Sequence, residues 1–482
     1  MSNYRQNVTQ KTAARVPEAV PGDLEKTLLK IMNLTLSGLL ALSAIVAVFV
    51  NTAAAQPQLE VKERHLDNGL TLLLIEDHSA PVVNLQSWIG VGSRMEVSGK
   101  LGLTHFFEHM MFRGSLKYGP EEHANIVQAN GGHLNAYTTQ DVTVFYETIA
   151  ADKLELIVAL EAERMQNLQI TADILATERE VVQNERRQRT DNSSFGTMHE
   201  QLYANAYQIH TYHNPVLGWM EDIENYSVDL CQDFFDSWYV PNNCTLILTG
   251  DFDPDEAFDF VEKYYGPMSE RECPQPRIRQ EQPQHGERRI AYYMPAQMPM
   301  LAVGYHSVAL GHPDIYPLMI LSKILTDGES SRLHKRLVLD DQLAIWIGGG
   351  TDENSDPGLF TFWMTPLPTV APEDAEAALY EELELVASEL IGERELQKAR
   401  NKLEDEFIFG LQDCAEKGGL VGHYHLRAGD WRLVNDYLDN INAVTPADLQ
   451  RVATLYFSPN NRTVVTIMPE NNLSPQASGH QE

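Results

Sequence analysis

The chain is predicted to be an α+β protein made of two similar halves, and three observations carry that expectation. From Gln58 to about residue 468, strand-like and helix-like stretches alternate. The run Pro241-Asn242-Asn243-Cys244-Thr245-Leu246 returns 218 residues later as Pro459-Asn460-Asn461-Arg462-Thr463-Val464. Each copy follows an aromatic-rich helix (Trp238-Tyr239; Leu455-Tyr456-Phe457) and opens a strand, so the context repeats with the motif. Between the copies, Cys273-Pro274-Gln275-Pro276 and its Gln-rich continuation suit a linker over 273–288. The expected domains are therefore 56–272 and 289–470, with a leader at 1–55 and a disordered tail at 471–482.

In chain order, a polar start leads through Lys26 and Lys30 into an apolar run over 34–50, which ends in Asn51-Thr52-Ala53-Ala54-Ala55-Gln56. Positive residues, an apolar core and an Ala-x-Ala arrangement read as an export signal cleaved after Ala55, which places the chain in the periplasm. An uncleaved leader would make the same run an inner-membrane anchor, the only route by which this chain meets a membrane. Strands follow at 69–76 and 82–92, a helix at about 103–111, and a helix after Pro120 to about Ala129. Gly131-Gly132 makes a turn, 142–148 has a strand composition, and helices come at about 152–167 and 173–189. In the last of these Val181 and Val182 form the apolar stripe, and the segment around 190–218 reads as looser.

Composition narrows the classes of function. With 36 basic against 68 acidic residues the formal charge is −32, which argues against a nucleic-acid surface. Apolar content of 43% is ample for real cores. The four cysteines, Cys231, Cys244, Cys273 and Cys414, fit no metal-cluster spacing and leave three pairings open; no role in chemistry is expected of them.

The chemistry concentrates in Thr104-His105-Phe106-Phe107-Glu108-His109-Met110. Histidines four apart on a helix stand on one face, close enough to share a metal ion, and Glu108 projects beside them. Two neutral imidazoles leave room on zinc for another ligand and a water whose proton a neighbouring carboxylate can take. Chance alone would produce His-x-x-acid-His in roughly one chain in fourteen of this composition, so the motif needs a third ligand. Candidates stand on the charged helix from Glu178 to Glu185, where these two glutamates, seven apart, share a face and Glu180 points elsewhere.

The order His105-x-x-Glu108-His109, with Glu178 and Glu185 downstream, resembles the inverzincin family of pitrilysin and the mitochondrial processing peptidase. The similarity extends through Asp67-Asn68-Gly69-Leu70, Gly90-Val91-Gly92-Ser93-Arg94-Met95-Glu96, Gly131-Gly132-His133-Leu134-Asn135-Ala136-Tyr137 and Tyr239-Val240-Pro241-Asn242-Asn243. It implies two homologous halves, each a mainly antiparallel sheet with helices packed on one face, enclosing a site between them. It also implies one zinc ion per chain on His105, His109 and Glu185, with Glu108 as general base and Glu178 supporting the ligands. Asn135-Ala136-Tyr137 would pair with an extended peptide substrate by strand addition. Read without the family, Asn135 closes the Gly-Gly turn and Tyr137 packs inside.

Two departures bear on function. The second half has no zinc set; where one is expected the chain reads Leu318-Met319-Ile320-Leu321-Ser322-Lys323-Ile324-Leu325, an apolar helix. Active single-chain relatives also carry an Arg and, seven residues later, a Tyr in the second half, and alignment over 331–346 puts Val338 and Ile345 there. Neither side chain can donate a hydrogen bond. The expected protein is a zinc-dependent endopeptidase acting on extended peptides or unfolded segments, as the zinc-bearing subunit of a hetero-oligomer. A homologous partner subunit would supply the Arg and Tyr. The alternative is a catalytically weak, zinc-containing peptide-binding or assembly subunit.

Overall fold

Apolar runs separated by polar turns build a first sheet, seen here in a computed structural model that describes residues 58–470. The leader and the tail lie outside the described residues. The strands are β1 (Lys62–His65), β2 (Thr71–Glu76), β3 (Val82–Ile89), β4 (His133–Thr138), β5 (Thr143–Ala150) and β6 (Cys244–Gly250). They lie in the order β1-β2-β6-β3-β5-β4, antiparallel throughout except for β2 beside β6. Helices α1 (Leu103–Met110), α2 (Glu122–Ala129), α3 (Leu154–Asn167), α4 (Ala172–Arg186), α5 (Ser194–Ala206), α6 (Met220–Glu224), α7 (Val228–Trp238) and α8 (Pro254–Tyr265) complete the first half.

The second half repeats the plan. Its strands are β7 (Arg288–Met294), β8 (Met300–His306), β9 (Ala344–Thr351), β10 (Leu359–Pro366) and β11 (Arg462–Pro469), in the order β7-β11-β8-β10-β9. Without β1, the two sheets have one topology, with the single parallel pair in the same place. Helices α9 (Ile315–Leu325), α10 (Pro372–Ser388), α11 (Glu393–Gly410), α12 (Cys414–His423), α13 (Tyr437–Ala443) and α14 (Pro446–Tyr456) belong to it. The repeated Pro-Asn-Asn has a local cause. In each copy the second Asn turns its side-chain amide back to a carbonyl of the preceding helix, Asn243 to Trp238 and Asn461 to Tyr456, both at 2.9 Å. A helix end is satisfied and the next strand is launched by one residue.

Each half lends a helix to the other. α5 packs on β8 and β11 of the second sheet, and α12 packs on β3 and β6 of the first. Thus β3 is buried on both faces: Ser87 meets α3 through Glu161, whereas Gln86 donates to the Ala415 carbonyl of α12. The segment expected to be loose over 190–218 holds α5 instead. Ser193 caps it by accepting the Gly196 N–H, and Met198, Leu202 and Ala206 form a stripe buried against Val465 and Ile467 of the opposite half. α4 also differs from expectation. Val182 is buried but Val181 is 39% exposed, because the inward stripe is Leu175, Glu178, Val182 and Arg186, half of it charged.

α12 approaches the first sheet through glycine. A Cβ on Gly422 would lie 2.2 Å from the Trp88 ring. Gly422→Ala is therefore expected to cost about 1–3 kcal/mol by overpacking, read as a lower melting temperature; an unchanged melt would refute this packing account.

Carboxylates also join the halves. Lys417 of α12 pairs with Asp77, and Arg94 (2.6 Å) and His210 (3.1 Å) of the first half hold Asp356 of the β9–β10 turn. The Lys417 hydrogen bond holds Asp77 down to about 2, and His210, then Arg94, do the same for Asp356. Since both values are depressed in the folded state, the stabilisation is present above about pH 4 and is lost as pH falls towards 2. The double variant Asp77→Asn/Asp356→Asn is expected to lose about 1–2 kcal/mol per site at pH 7 and to show a flatter stability curve between pH 4 and 2. A wild-type curve already flat across that window would contradict it.

The four cysteines are all unpaired. Among the described residues no helix is long and apolar enough to cross a membrane.

Candidate metal centre

Gly102 opens α1 with φ +88° and brings no side-chain cap. Glu96 does that work from outside the helix, accepting the Gly102 and Thr104 N–H groups and the Thr104 hydroxyl, each at 2.7 Å. Leu103, Phe106, Phe107 and Met110 are buried in the first-half core, which fixes the helix rotation. His105 and His109 then stand one turn apart, ring centroids 4.8 Å from each other, facing α4.

From α4 come Glu185 and, two turns earlier, Glu178. The Glu185 carboxylate lies 3.7 Å from His105 Nε2 and 3.1 Å from His109 Nε2, and the three ligand atoms all fall within 4.8 Å of one another. A tetrahedral ion with bonds of about 2.0–2.1 Å has edges of about 3.3–3.4 Å, so two imidazoles and a carboxylate at these separations fit zinc. Burial pushes His105 down to about 4 and keeps it neutral, the form that ligates. Burial also pulls on His109, but hydrogen bonds to Glu178 and Glu185 outweigh it and hold that imidazole up to about 9. The two carboxylates make this a seat for positive charge. Glu178, fully buried, sits 2.9 Å from His109 Nδ1 and is in turn held by Arg113. Arg189 approaches the Glu185 carboxylate at 2.8 Å.

Glu108 makes no hydrogen bond or ion pair with these three, though the charges of His109 and Glu185 reach it. Its Oε2 accepts the Thr138 hydroxyl at 2.6 Å, and burial raises it above the usual carboxylate range. Thr138 ends β4, so the edge strand and the motif helix are joined at this bond. Asn135, Ala136 and Tyr137 precede it in β4, which among the described residues pairs only with β5 and leaves its other edge open. Asn135 lies within the strand rather than in the Gly-Gly turn, and Tyr137 is 37% exposed, edge-on to Trp88. The turn after Thr138 is gripped by the second half: Ser355 N–H donates to Asp141 at 3.0 Å and Arg427 to the Thr139 hydroxyl at 3.3 Å.

His123, Glu147 and Glu161 form a second group with metal-like spacing, fully inside the first half. Here the seat is taken. Arg164 pairs with Glu161, its guanidinium lies 4.6 Å from the Phe145 ring centre, and His123 pairs with Glu147. A cation is already built into that cluster, which reads as structural. Sequence reasoning missed it, along with Thr138 and Arg113. Arg113 alone had a signal, a cation four residues after His109, although it stands just past the end of α1.

Comparison with known proteins bears on the family and the fold. The model of the family described as insulinase (peptidase family M16) matches residues 71–219, and that of the peptidase M16 inactive domain matches 225–403. The zinc protease PqqE of Helicobacter pylori is 29% identical over 437 residues, covering 89% of this chain and 98% of that protein. The uncharacterized zinc protease YmxG of Bacillus subtilis is 23% identical over 413 residues, 86% and 99% of the two chains. A crystal structure of a protease from Helicobacter pylori superimposes with a TM-score of 0.83 at 29% identity, over 85% of this chain and all of that one.

Proposed function

The chain belongs to the M16 family of metallopeptidases, and from that premise we propose that it is a zinc-dependent endopeptidase that cuts extended peptides or unfolded segments. The observation that carries the reading is the meeting of His105 and His109 with Glu185, from two helices far apart in sequence, beside a half-buried carboxylate outside that group of three. His105, His109 and Glu185 would hold one zinc ion per chain. A zinc ion bound there would supply Lewis acidity, to a peptide carbonyl and to water near neutral pH. Glu108 is the group placed to take a proton from an attacking water and to return it to the leaving amine. Thr138 keeps one Glu108 oxygen occupied, so the other is the one free to move protons. The open edge of β4 at Asn135-Ala136-Tyr137 would take an extended chain by strand addition, a mode that demands little of substrate sequence, once the Ala136 N–H leaves the Asn135 Oδ1 that accepts it at 2.9 Å.

The same reading makes the chain one subunit of a hetero-oligomer, exported to the periplasm with its leader removed after Ala55. N-terminal sequencing of the mature protein tests the cleavage. A catalytically weak peptide-binding or assembly subunit is the second reading, favoured by the absence of side-chain donors at Val338 and Ile345.

The test of the leading reading is elemental analysis of the purified chain together with turnover of an internally quenched, unstructured peptide. One zinc per chain and turnover lost to a chelator, then restored by zinc, are expected. Turnover indifferent to chelation would overturn it.

A further inference from the structure

We propose that Arg113 is a positioning residue for the metal centre, holding Glu178 and through it aiming the His109 imidazole. The proposal rests on the metallopeptidase reading above. Arg113 lies just past the end of α1, four residues after His109, where the chain turns its guanidinium onto Glu178. Its Nη2 donates to Glu178 Oε1 at 3.3 Å, and its Nε is in ionic contact with Oε2. Glu178 Oε1 lies 2.9 Å from His109 Nδ1. An ionised carboxylate has no proton to give, so Nδ1 is the donor to Glu178, and Nε2, 3.1 Å from Glu185, is the nitrogen left to face a metal ion. The order guanidinium, carboxylate, imidazole, metal seat is continuous.

The two histidines are anchored differently. His105 is 6% exposed, and among the described residues nothing pairs with its Nδ1, so on that side of the ring packing alone holds it. The His109 side chain is 22% exposed and depends on Glu178 for its ring orientation. Glu178 is fully buried, and carboxylate torsions are broad, so something must fix its plane. A guanidinium facing both oxygens does this, whereas the point charge of a lysine reaches one. The other neighbour of Arg113 is Glu121 at 3.2 Å, whose side chain is 68% exposed, so Glu178 is the partner that matters.

The experiment measures the zinc dissociation constant of the full chain by competition with a chromophoric chelator. The variants are Arg113→Met, Arg113→Lys, Glu178→Gln and the double Arg113→Met/Glu178→Gln, each checked for folding by circular dichroism. Arg113→Met is expected to weaken zinc binding about 10–100-fold, with Arg113→Lys recovering part of the loss. In the Glu178→Gln background, Arg113→Met should change affinity less than about twofold, because its route to His109 is already cut. If Arg113→Met binds zinc like wild type, or loses as much in both backgrounds, the proposal is overturned. Should Arg113→Met not fold, Arg113→Lys still decides: wild-type affinity there excludes the two-oxygen clamp. A wild-type chain that binds no zinc sinks the metallopeptidase reading itself, an outcome recognisable before any Arg113 variant is made.

Discussion

Glu108→Gln is expected to retain zinc and to lose peptide turnover by about 10²–10⁴-fold, the usual worth of a positioned general base. Glutamine keeps the shape of the side chain and can still accept the Thr138 hydroxyl that Glu108 accepts at 2.6 Å, so the contact between α1 and β4 survives. Only proton transfer is removed. Burial raises the Glu108 carboxyl above its ordinary range, nearer the pH at which a base both stays ionised and pulls hard. Zinc content is measured beside kcat, because an unchanged metal load is what separates lost chemistry from a collapsed site. Glu180→Gln is the internal control: it stands exposed on α4, away from the ligand face, and should change neither quantity. Equal turnover by wild type and Glu108→Gln would remove the peptidase and leave the binding or assembly subunit.

How much of this was legible in the chain follows from how local each cause is. The histidine pair could be read because both ligands stand one turn apart, and the two-half plan because each Pro-Asn-Asn satisfies its own helix end. Glu185 was reachable only through the family pattern, since no local rule separates it from the other glutamates of α4. Exchange between the halves left no such mark. α5 was read as loose because the sheet that buries Met198, Leu202 and Ala206 comes from the other end of the chain. The stripe of α4 was misplaced by one residue because Glu178 and Arg186 sit inward, against the habit of charged residues. Thr138 hides for a related reason: a hydroxyl at the end of an edge strand gives no sign that a helical carboxylate is waiting for it.

The isolated chain is expected to turn over peptide about 100–1000-fold more slowly than the chain combined with a homologous subunit carrying the second-half Arg and Tyr. The deficit is that of missing donors to a developing oxyanion. Val338 packs against the second-half core and Ile345 is 46% exposed, and neither has a proton to offer. The nearest substitutes are not free: Arg336 is paired with Glu381 and faces Asp341, and Arg189, beside the centre itself, is paired with Glu185. A second copy brings the same Val338 and Ile345, so self-association cannot repair the site. The measurement is kcat for one unstructured peptide as the partner subunit is titrated in, with a partner whose Arg and Tyr are replaced as the control. Full activity of the chain alone would mean that a donor inside it does this work. Arg189 would then be the first to change, since a carboxylate drawn to a metal ion loosens its hold on the guanidinium beside it.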